Sequence, residues 1–152
     1  MIQNNKLDQS FGPIGTIAGI TLFVVGVILT PFSFSGLFLI LIGAFVGFTS
    51  TSTIIDSDNK RVRFSNNLFG ILRTGKWINI ESNMKIGIKQ SNRAWRAYSG
   101  GSRSIDTSDK GFRVILFDAH SKQIMPLMKT NSFESAKKEL ESLAIQLGLS
   151  TI

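Results

Sequence analysis

Polar and apolar residues are unevenly distributed along this chain. From Gln9 to Ile55 the sequence contains no Asp, Glu, Lys, Arg or His. A transmembrane helix needs about 20 mostly apolar residues, with about 17 as the lower limit, so this stretch is too long for one span. Thr30-Pro31-Phe32-Ser33 divides it, because proline lacks a backbone N–H and disfavours helix at the preceding residue. The pattern predicts two membrane-spanning helices, at about 12–29 and 34–50, after a short N-terminal tail, 1–11.

Glycine spacing within the two predicted spans indicates how the helices pack. Gly15 and Gly19 form one small-xxx-small motif, and Gly43 and Gly47 form another. Such motifs let helix backbones approach closely in a membrane. Gly19 and Gly47 lie at similar distances from the turn, so we expect these four glycines to mediate packing. The contact is either within the hairpin or with another membrane subunit.

A cleaved signal peptide is the alternative to a retained hairpin. Ser33-Phe34-Ser35 before Gly36 resembles a small-residue cleavage site. The positive charge that should precede the apolar segment is small, because Lys6 is offset by Asp8. We therefore favour a retained two-helix anchor.

The distribution of cations predicts the orientation in the membrane. Lys6 alone precedes the first span, the turn has no cation, and a basic segment follows the second span: Lys60, Arg61, Arg63, Arg73 and Lys76. Lys and Arg close to a span tend to remain in the cytoplasm. We expect both termini and the C-terminal domain to be cytoplasmic, with a multi-pass anchor in a bacterial inner membrane.

Residues 51–152 have the pattern of a small domain rich in strands. Polar and apolar residues alternate, as in half-buried strands, in Arg61–Ser65 and Met84–Gln90, and Phe112–Phe117 is nearly all apolar. Further strands are predicted at 51–56, 71–73, 75–80 and 123–129, where Pro126 favours an edge or a bulge. Ser99–Lys110 reads as a polar loop.

Near the C-terminus the spacing of apolar residues changes from the alternation of a strand to the period of a helix. Apolar residues follow helical spacing over about 132–147, at Phe133, Ala136, Leu140, Leu143, Ala144 and Leu147. Asn131 with Glu134 resembles a capping box, and Gly148 suits the residue after a helix end. Strands followed by one helix predict an α+β membrane protein rather than a βαβ fold.

Four segments carry a family resemblance. They are Ile54-Ile55-Asp56, Arg61-Val62-Arg63, Phe69-Gly70 and Gly75-Lys76-Trp77. With two hydrophobic helices before them and a closing helix after them, the chain resembles small bacterial membrane-anchored proteins with a pleckstrin-homology-like domain. The resemblance implies two nearly orthogonal antiparallel sheets, a sandwich or barrel, capped by a C-terminal helix. Eukaryotic relatives bind inositol phosphates near the first hairpin, which points to Lys60, Arg61 and Arg63.

Composition excludes several kinds of chemistry. The chain has no Cys and a net charge of +7, so disulfides and cysteine-based redox, zinc or nucleophilic sites are ruled out. His120, the single histidine, lies in a predicted turn and lacks a catalytic partner, and no phosphate-loop motif occurs, including at Ser99–Ser102. Asp106 and Asp109 are interpreted as loop residues. We expect no enzyme activity, no cofactor and no metal.

The basic charge favours binding functions. Residues 51–130 contain 14 Lys and Arg against 6 Asp and Glu, close to a membrane whose cytoplasmic leaflet is anionic. Membrane tethering makes nucleic acid a poor partner. Cations and aromatic side chains alternate at Arg93, Trp95, Arg96 and Tyr98, a combination that suits lipid headgroups or an acidic protein surface. We expect a scaffold or accessory subunit that contacts other membrane proteins. The alternative is a sensor of anionic lipids.

Overall fold

The computed structural model describes the backbone of residues 1–98 and 104–152, and the side chains of 1–92 and 110–152. The fold is α+β, with two sheets and a C-terminal helix. In chain order the elements are β1 (Ile2–Gln9), α1 (Gly12–Leu29), α2 (Ser35–Phe48), β2 (Ser50–Asp56), β3 (Arg61–Leu68), β4 (Leu72–Thr74), β5 (Trp77–Asn79), β6 (Lys85–Tyr98), β7 (Ser104–Phe117), β8 (Gln123–Thr130), α3 (Phe133–Leu147) and β9 (Ser150–Thr151).

The chain divides into two compact units. The larger unit comprises Met1–Leu7, Ser52–Ser65 and Gly75–Ile152, and the helical unit comprises Asp8–Thr51 and Asn66–Thr74. Strands β1, β2 and β3 each contribute residues to both units. The N-terminal segment, predicted as a short tail, contains strand β1, which was not predicted because its mixture of polar and apolar residues does not show a clear strand pattern.

Helices α1 and α2 form most of the helical unit. Helix α1 has the predicted bounds, and it is long and apolar enough to cross a membrane. Helix α2 has 14 residues, fewer than the predicted span at 34–50, because Phe34 is its N-cap and Thr49 is already extended. Ser33 N–H donates to the Leu29 carbonyl at 2.9 Å in the turn between the helices.

Hydrogen bonds between residues distant in the chain join the two ends of the helix pair. Ser10 N–H donates to the carbonyl of Thr49 at 3.2 Å, and the Thr51 hydroxyl donates to the carbonyl of Asp8 at 3.2 Å. These bonds join the residues just before α1 to those just after α2. The start of α1 and the end of α2 therefore adjoin two neighbouring strands, β1 and β2.

The β3–β4 hairpin completes the helical unit. Asn66, Asn67 and Leu68 pair with Thr74, Arg73 and Leu72 in antiparallel register. The connection, residues 69–71, contains a β-turn in which Ile71 N–H donates to the Leu68 carbonyl at 3.1 Å, with the central residues Phe69 at φ 55° and Gly70 at φ 71°. Positive φ at both central residues gives the twist that tight hairpins require, and glycine adopts it without steric cost.

Two sheets supply the strands of the fold. One has the order β1-β2-β3-β4, with β5 also paired to β3, and the other has the order β8-β7-β6-β9. The two sheets are separate and do not close into a barrel, so the barrel alternative is wrong. Strand β8 is an edge strand, and its register against β7 shifts between Val114 and Ile115, where Ile115 is opposite Pro126. Both features predicted for Pro126 are therefore present.

The core of the larger unit lies between the strands and α3. Strand alternation brings the apolar residues of both sheets to it, and the buried set is Ile55, Val62, Ile86, Val114, Leu116, Met125, Leu127, Leu140, Leu143, Leu147 and Leu149. Helix α3 contributes its predicted apolar face, except that Phe133 is 51 % exposed. Its N-cap is Ser132, whose hydroxyl accepts from Ser135 N–H, so the predicted Asn131–Glu134 box does not form.

Strands β6 and β7 are longer than the pattern predicted. The ambiguous segment 91–98 continues β6, and residues 104–110, predicted as loop, belong to β7. Their backbones pair from Lys85 opposite Phe117 to Tyr98 opposite Ser104. These outer parts are mostly polar, so the alternation of polar and apolar residues that indicates a strand is absent from their sequence. Residues 99–103, which include the glycines of the predicted loop, lie outside the described residues.

Candidate interaction surfaces

The contact between α1 and α2 is made by glycine. A Cβ atom placed on Gly19 would lie 2.4 Å from the amide nitrogen of Gly47, and one on Gly43 would lie 2.4 Å from that of Phe23. Real Cβ atoms essentially never approach so closely, so neither position can carry a side chain without moving a helix. Of the four glycines predicted for packing, Gly19, Gly43 and Gly47 therefore lie at the contact inside the pair. The Cβ of Gly15 would instead meet Phe11, at 2.8 Å.

A second close approach lies nearer the turn. A Cβ on Gly26 would lie 2.7 Å from the amide nitrogen of Ile40, and one on Gly36 would lie 2.6 Å from that of Thr30. Sequence reasoning missed this pair because neither residue belongs to a small-xxx-small motif containing glycine at both ends. We call the five facing glycines the glycine seam: Gly19, Gly26, Gly36, Gly43 and Gly47.

Large apolar side chains cover the opposite faces of both helices. The buried residues of α1 are Gly12, Thr16, Gly19 and Gly26, and those of α2 are Gly36, Gly43 and Gly47. The exposed side chains of the pair include Ile17, Val24, Val27, Ile28, Phe32, Phe34, Phe38, Leu41 and Ile42. Small residues inside and large apolar residues outside are the reverse of a water-soluble helix pair, which buries its large apolar side chains.

The hydroxyl groups on α1 and in the turn are satisfied locally. Thr16 donates to the Gly12 carbonyl at 2.9 Å, Thr21 to Ile17 at 2.9 Å and Thr30 to Gly26 at 2.7 Å. In hydrocarbon an unsatisfied polar group costs several kcal/mol, so such bonds suit a lipid environment.

A cation and aromatic cluster lies on β3 and β5. Register places Arg63 opposite Trp77. The guanidinium carbon of Arg61 lies 4.5 Å from the centroid of the Trp77 ring, and that of Arg63 lies 5.5 Å away. Both distances allow cation–π attraction. Trp77 is 38 % exposed, so this Arg–Trp cluster (Arg61, Arg63 and Trp77) offers an accessible surface to a partner.

Arg61 also has a structural role. Its Nε donates to the buried carboxylate of Asp56 at 2.8 Å. Asn59 donates to the same carboxylate through its side chain, at 2.8 Å, and through its backbone, at 3.3 Å. The Asn59 side chain, followed by Arg61, holds the pKa of Asp56 below its ordinary value of 3.8, although burial acts in the opposite direction. Arg61, which was predicted to bind a ligand, thus pairs with Asp56 and supports the β2–β3 turn.

The other predicted contact residues fall into two groups. Lys60 lies in the β2–β3 turn with φ 46°, its side chain is exposed, and its carbonyl accepts from Ile80 N–H at 2.8 Å. The backbone of β6 places Arg93 opposite Asp109 and Arg96 opposite Asp106, whereas Trp95 and Tyr98 are opposite Thr107 and Ser104. The side chains of this second group lie outside the described residues.

His120 occupies the exposed β7–β8 turn. The Asp118 carboxylate accepts from the backbone N–H of His120 at 2.9 Å and from that of Lys122 at 2.7 Å. The carboxylate thus organises the turn, and His120 takes part through its backbone. Among the described residues, no group of three or more His, Asp or Glu side chains is arranged to hold a metal ion.

Sequence reasoning included Trp77 in a family pattern but not among the contact residues. Its place opposite Arg63 depends on how β3 and β5 pair, and the sequence gives no register for so short a strand. Comparison of the chain with protein-family models, curated protein sequences and solved structures found no match. The likeness to pleckstrin-homology-like proteins stays a prediction.

Proposed function

We propose that this protein is a non-enzymatic scaffold or accessory subunit, anchored in a bacterial inner membrane by the α1–α2 hairpin. The observation that carries the proposal is the glycine seam with its outward-facing Leu, Ile, Val and Phe side chains. In water, an apolar surface of this extent favours association or membrane insertion. In lipid, the same side chains lie in their preferred solvent, and the seam supplies the close packing that holds membrane helices together.

The pairing of β1 with β2 supports two crossings rather than one. Only α1 meets the length criterion for a span by itself. If α1 crossed alone, β1 and β2 would lie on opposite sides of the bilayer and could not pair, yet they are neighbours in one sheet. Helix α2 returns the chain to the side from which it entered, so both termini share a compartment. The cations after residue 51 favour the cytoplasm as that compartment.

The lengths of the helices fit a hairpin with an immersed turn. At about 1.5 Å per residue, α1 extends about 27 Å and α2 about 21 Å, against a hydrocarbon core of about 30 Å. The turn residues Phe32 and Phe34 are 85 % and 86 % exposed and apolar, so they extend the hydrophobic length beyond α2. A short hairpin of this kind spans by thinning the bilayer locally.

The same contacts argue against signal-peptide cleavage after Ser35. Removal of α1 would expose the glycine face of α2, and it would leave Gly36 without the Gly26 and Thr30 backbone that it contacts. It would also remove β1 from its sheet. The retained anchor uses all of these contacts.

The Arg–Trp cluster and the outward faces of the hairpin are the surfaces that we assign to protein partners. Aromatic and arginine side chains contribute most of the binding energy at many interfaces. A lipid sensor is the second candidate, because Arg63 and Lys60 lie close in sequence on an accessible turn and strand. The pairing of Arg61 with Asp56 reduces the charge available to a headgroup, which favours the scaffold.

Site-specific photocrosslinking in native membranes tests the proposal. A photoreactive residue at Trp77 or at Leu41, on the outward face of α2, should yield a discrete adduct with another membrane protein. The same residue at Ile145, which is 83 % exposed on α3, is the matched control and should yield none. A purified particle that contains only this chain and lipid, with no protein adduct at either test position, would contradict the scaffold.

Vesicle sedimentation distinguishes the lipid sensor. Arg63→Ala is the informative variant, since Arg61→Ala would also disturb Asp56, and Lys138→Ala removes an exposed cation from α3 as a control. The electrostatic screening length is about 8 Å at physiological salt, so non-specific attraction to anionic vesicles should weaken at that salt concentration. Headgroup preference that survives at this salt, and that Arg63→Ala alone abolishes, would favour the sensor over the scaffold.

A further inference from the structure

The β3–β4 hairpin is apolar at its tip, where a hairpin in water is usually polar. Tight hairpin turns favour Asn, Asp and Gly, whereas residues 69–72, which we call the hairpin tip, read Phe-Gly-Ile-Leu. Ile71 is 83 % exposed and Leu72 is 59 % exposed. Phe69 has a positive φ of 55°, which is uncommon for a bulky side chain. The hairpin tip therefore presents large apolar side chains at the surface of the protein.

Contacts within the helical unit place the hairpin tip beside the end of the helix pair at which α1 begins and α2 ends. The Phe69 ring packs edge-on against that of Phe45, in the last turn of α2, with the centroids 5.5 Å apart. Phe45 also packs against Phe11, the N-cap of α1, at 5.5 Å. Phe69 N–H donates to the Thr49 hydroxyl at 3.4 Å. The hairpin tip thus lies level with the residues at which the chain enters α1 and leaves α2.

The apolar surface of the helices continues onto the hairpin tip. Gly70 adjoins Phe48, the last residue of α2, and Phe48 is itself 42 % exposed. Arg73 follows the tip and is exposed. An arginine side chain can keep its aliphatic stem against apolar surface while its guanidinium extends to charged groups. Exposed apolar residues beside the end of a membrane hairpin, followed by a cation, suit the interface of a bilayer with anionic headgroups.

We propose that the hairpin tip inserts Ile71 and Leu72 into the boundary between headgroups and acyl chains of the cytoplasmic leaflet, as a third membrane contact beside α1 and α2. The inference rests on the proposed membrane anchor but not on the scaffold role. Burial of the two side chains in lipid removes their apolar surface from water, and Arg73 would pair with anionic headgroups. Sequence reasoning did not find this contact, because Phe69 and Phe45 are distant in the chain and become neighbours only in the folded unit.

Electron paramagnetic resonance of the full chain in nanodiscs of phosphatidylethanolamine and phosphatidylglycerol tests the insertion. Ile71→Cys, Leu41→Cys and Ile145→Cys each introduce a single cysteine for a nitroxide label, because the chain has no other. Oxygen concentrates among acyl chains, whereas a water-soluble nickel chelate stays outside the bilayer. The ratio of oxygen to nickel collisions should be several-fold higher at position 71 than at position 145, which is equally exposed on α3. Position 41, on the outward face of α2, reports on the anchor itself.

A charged substitution in the hairpin tip provides a second measurement, with the label on Leu72→Cys. Ile71→Asp places a carboxylate where acyl chains disfavour it, and the exposed position lets us expect normal folding. The collision ratio at position 72 should fall several-fold in this variant. Ile145→Asp, the matched control on α3, should leave the ratio at position 72 unchanged. An equal ratio with and without Ile71→Asp would contradict insertion by these side chains.

The labels separate failure of the insertion from failure of the anchor. A label in lipid at position 41, with a label at position 71 that meets the nickel chelate as readily as one at position 145, would overturn the insertion and leave the anchor in place. A label at position 71 that is shielded from both oxygen and nickel would show that protein covers the tip, which also overturns the proposal. A label at position 41 that is open to nickel would contradict the anchor and the insertion together.

Discussion

At the scale of the residue, the closest contacts in the hairpin are set by what glycine lacks. Gly19 and Gly43 bring backbone against backbone, and each allows an approach that any Cβ would prevent. The small-xxx-small motifs predicted Gly19, Gly43 and Gly47 as packing residues, because membrane helices use that spacing repeatedly. Gly26 and Gly36 could not be found in this way, since their proximity arises from the turn rather than from a repeat.

We predict that Gly19→Leu separates the helices. The added side chain would meet the backbone of Gly47, so the axes should move toward the about 8–10 Å separation of helices with larger side chains at the contact. The chain has no Cys, so spin labels on Val24→Cys and Leu41→Cys report the distance without further changes. Ile17→Leu, at an exposed position of α1, is the control. An unchanged distance distribution in Gly19→Leu would argue against the seam.

Asp56 predicts a pH dependence of stability. Its folded pKa is lowered, so its ionised form stabilises the protein above the ordinary value of 3.8, and this contribution is lost as pH falls through the folded pKa. Asp56→Asn should therefore melt at a lower temperature than wild type at pH 7, and the difference should shrink below pH 3.8. A difference that stays constant from pH 7 to pH 3 would show that the carboxylate charge is not responsible.

At the scale of the element, the helices and strands with the most regular spacing of apolar residues were predicted best. Helix α3 was predicted nearly to its ends, because its apolar residues keep one period and Gly148 adopts the left-handed conformation with φ 69°. The bounds of α1 were fixed by the charge-free run and Pro31. Strands β1 and β9 and the outer parts of β6 and β7 were missed, since they are short or polar and gain their structure from pairing with other strands.

The role of α3 in the core leads to a stability prediction. Leu143 is 1 % exposed and belongs to the core cluster, so Leu143→Ala should cost about 2–5 kcal/mol through lost burial and a cavity. Ile145→Ala on the same helix is 83 % exposed and should change stability by less than about 0.5 kcal/mol. Denaturant unfolding of the full chain in detergent, followed by tryptophan fluorescence, compares the two. Equal losses would mean that α3 does not close the core.

At the scale of the whole molecule, the helix pair lies in the chain between two strands that pair in one sheet. Strands β1 and β2 flank the two helices in sequence and are neighbours in one sheet, so the helix pair connects two paired strands rather than preceding a separate domain. The sequence predicted a hairpin followed by an independent domain at 51–152. The pairing of β1 requires long-range register, which no local pattern reveals. A fragment of residues 51–152 would therefore lack an edge strand of its sheet.

The two-crossing topology of the hairpin is tested most directly by the reactivity of single cysteines toward a membrane-impermeant maleimide, in vesicles of both orientations. Asn4→Cys on β1, Phe32→Cys in the turn and Ile145→Cys on α3 are exposed positions in an otherwise cysteine-free chain. We expect positions 4 and 145 to react from the cytoplasmic side and position 32 to react from the opposite side. Reaction of positions 4 and 145 from opposite sides, or of all three from one side, would contradict the membrane-spanning hairpin.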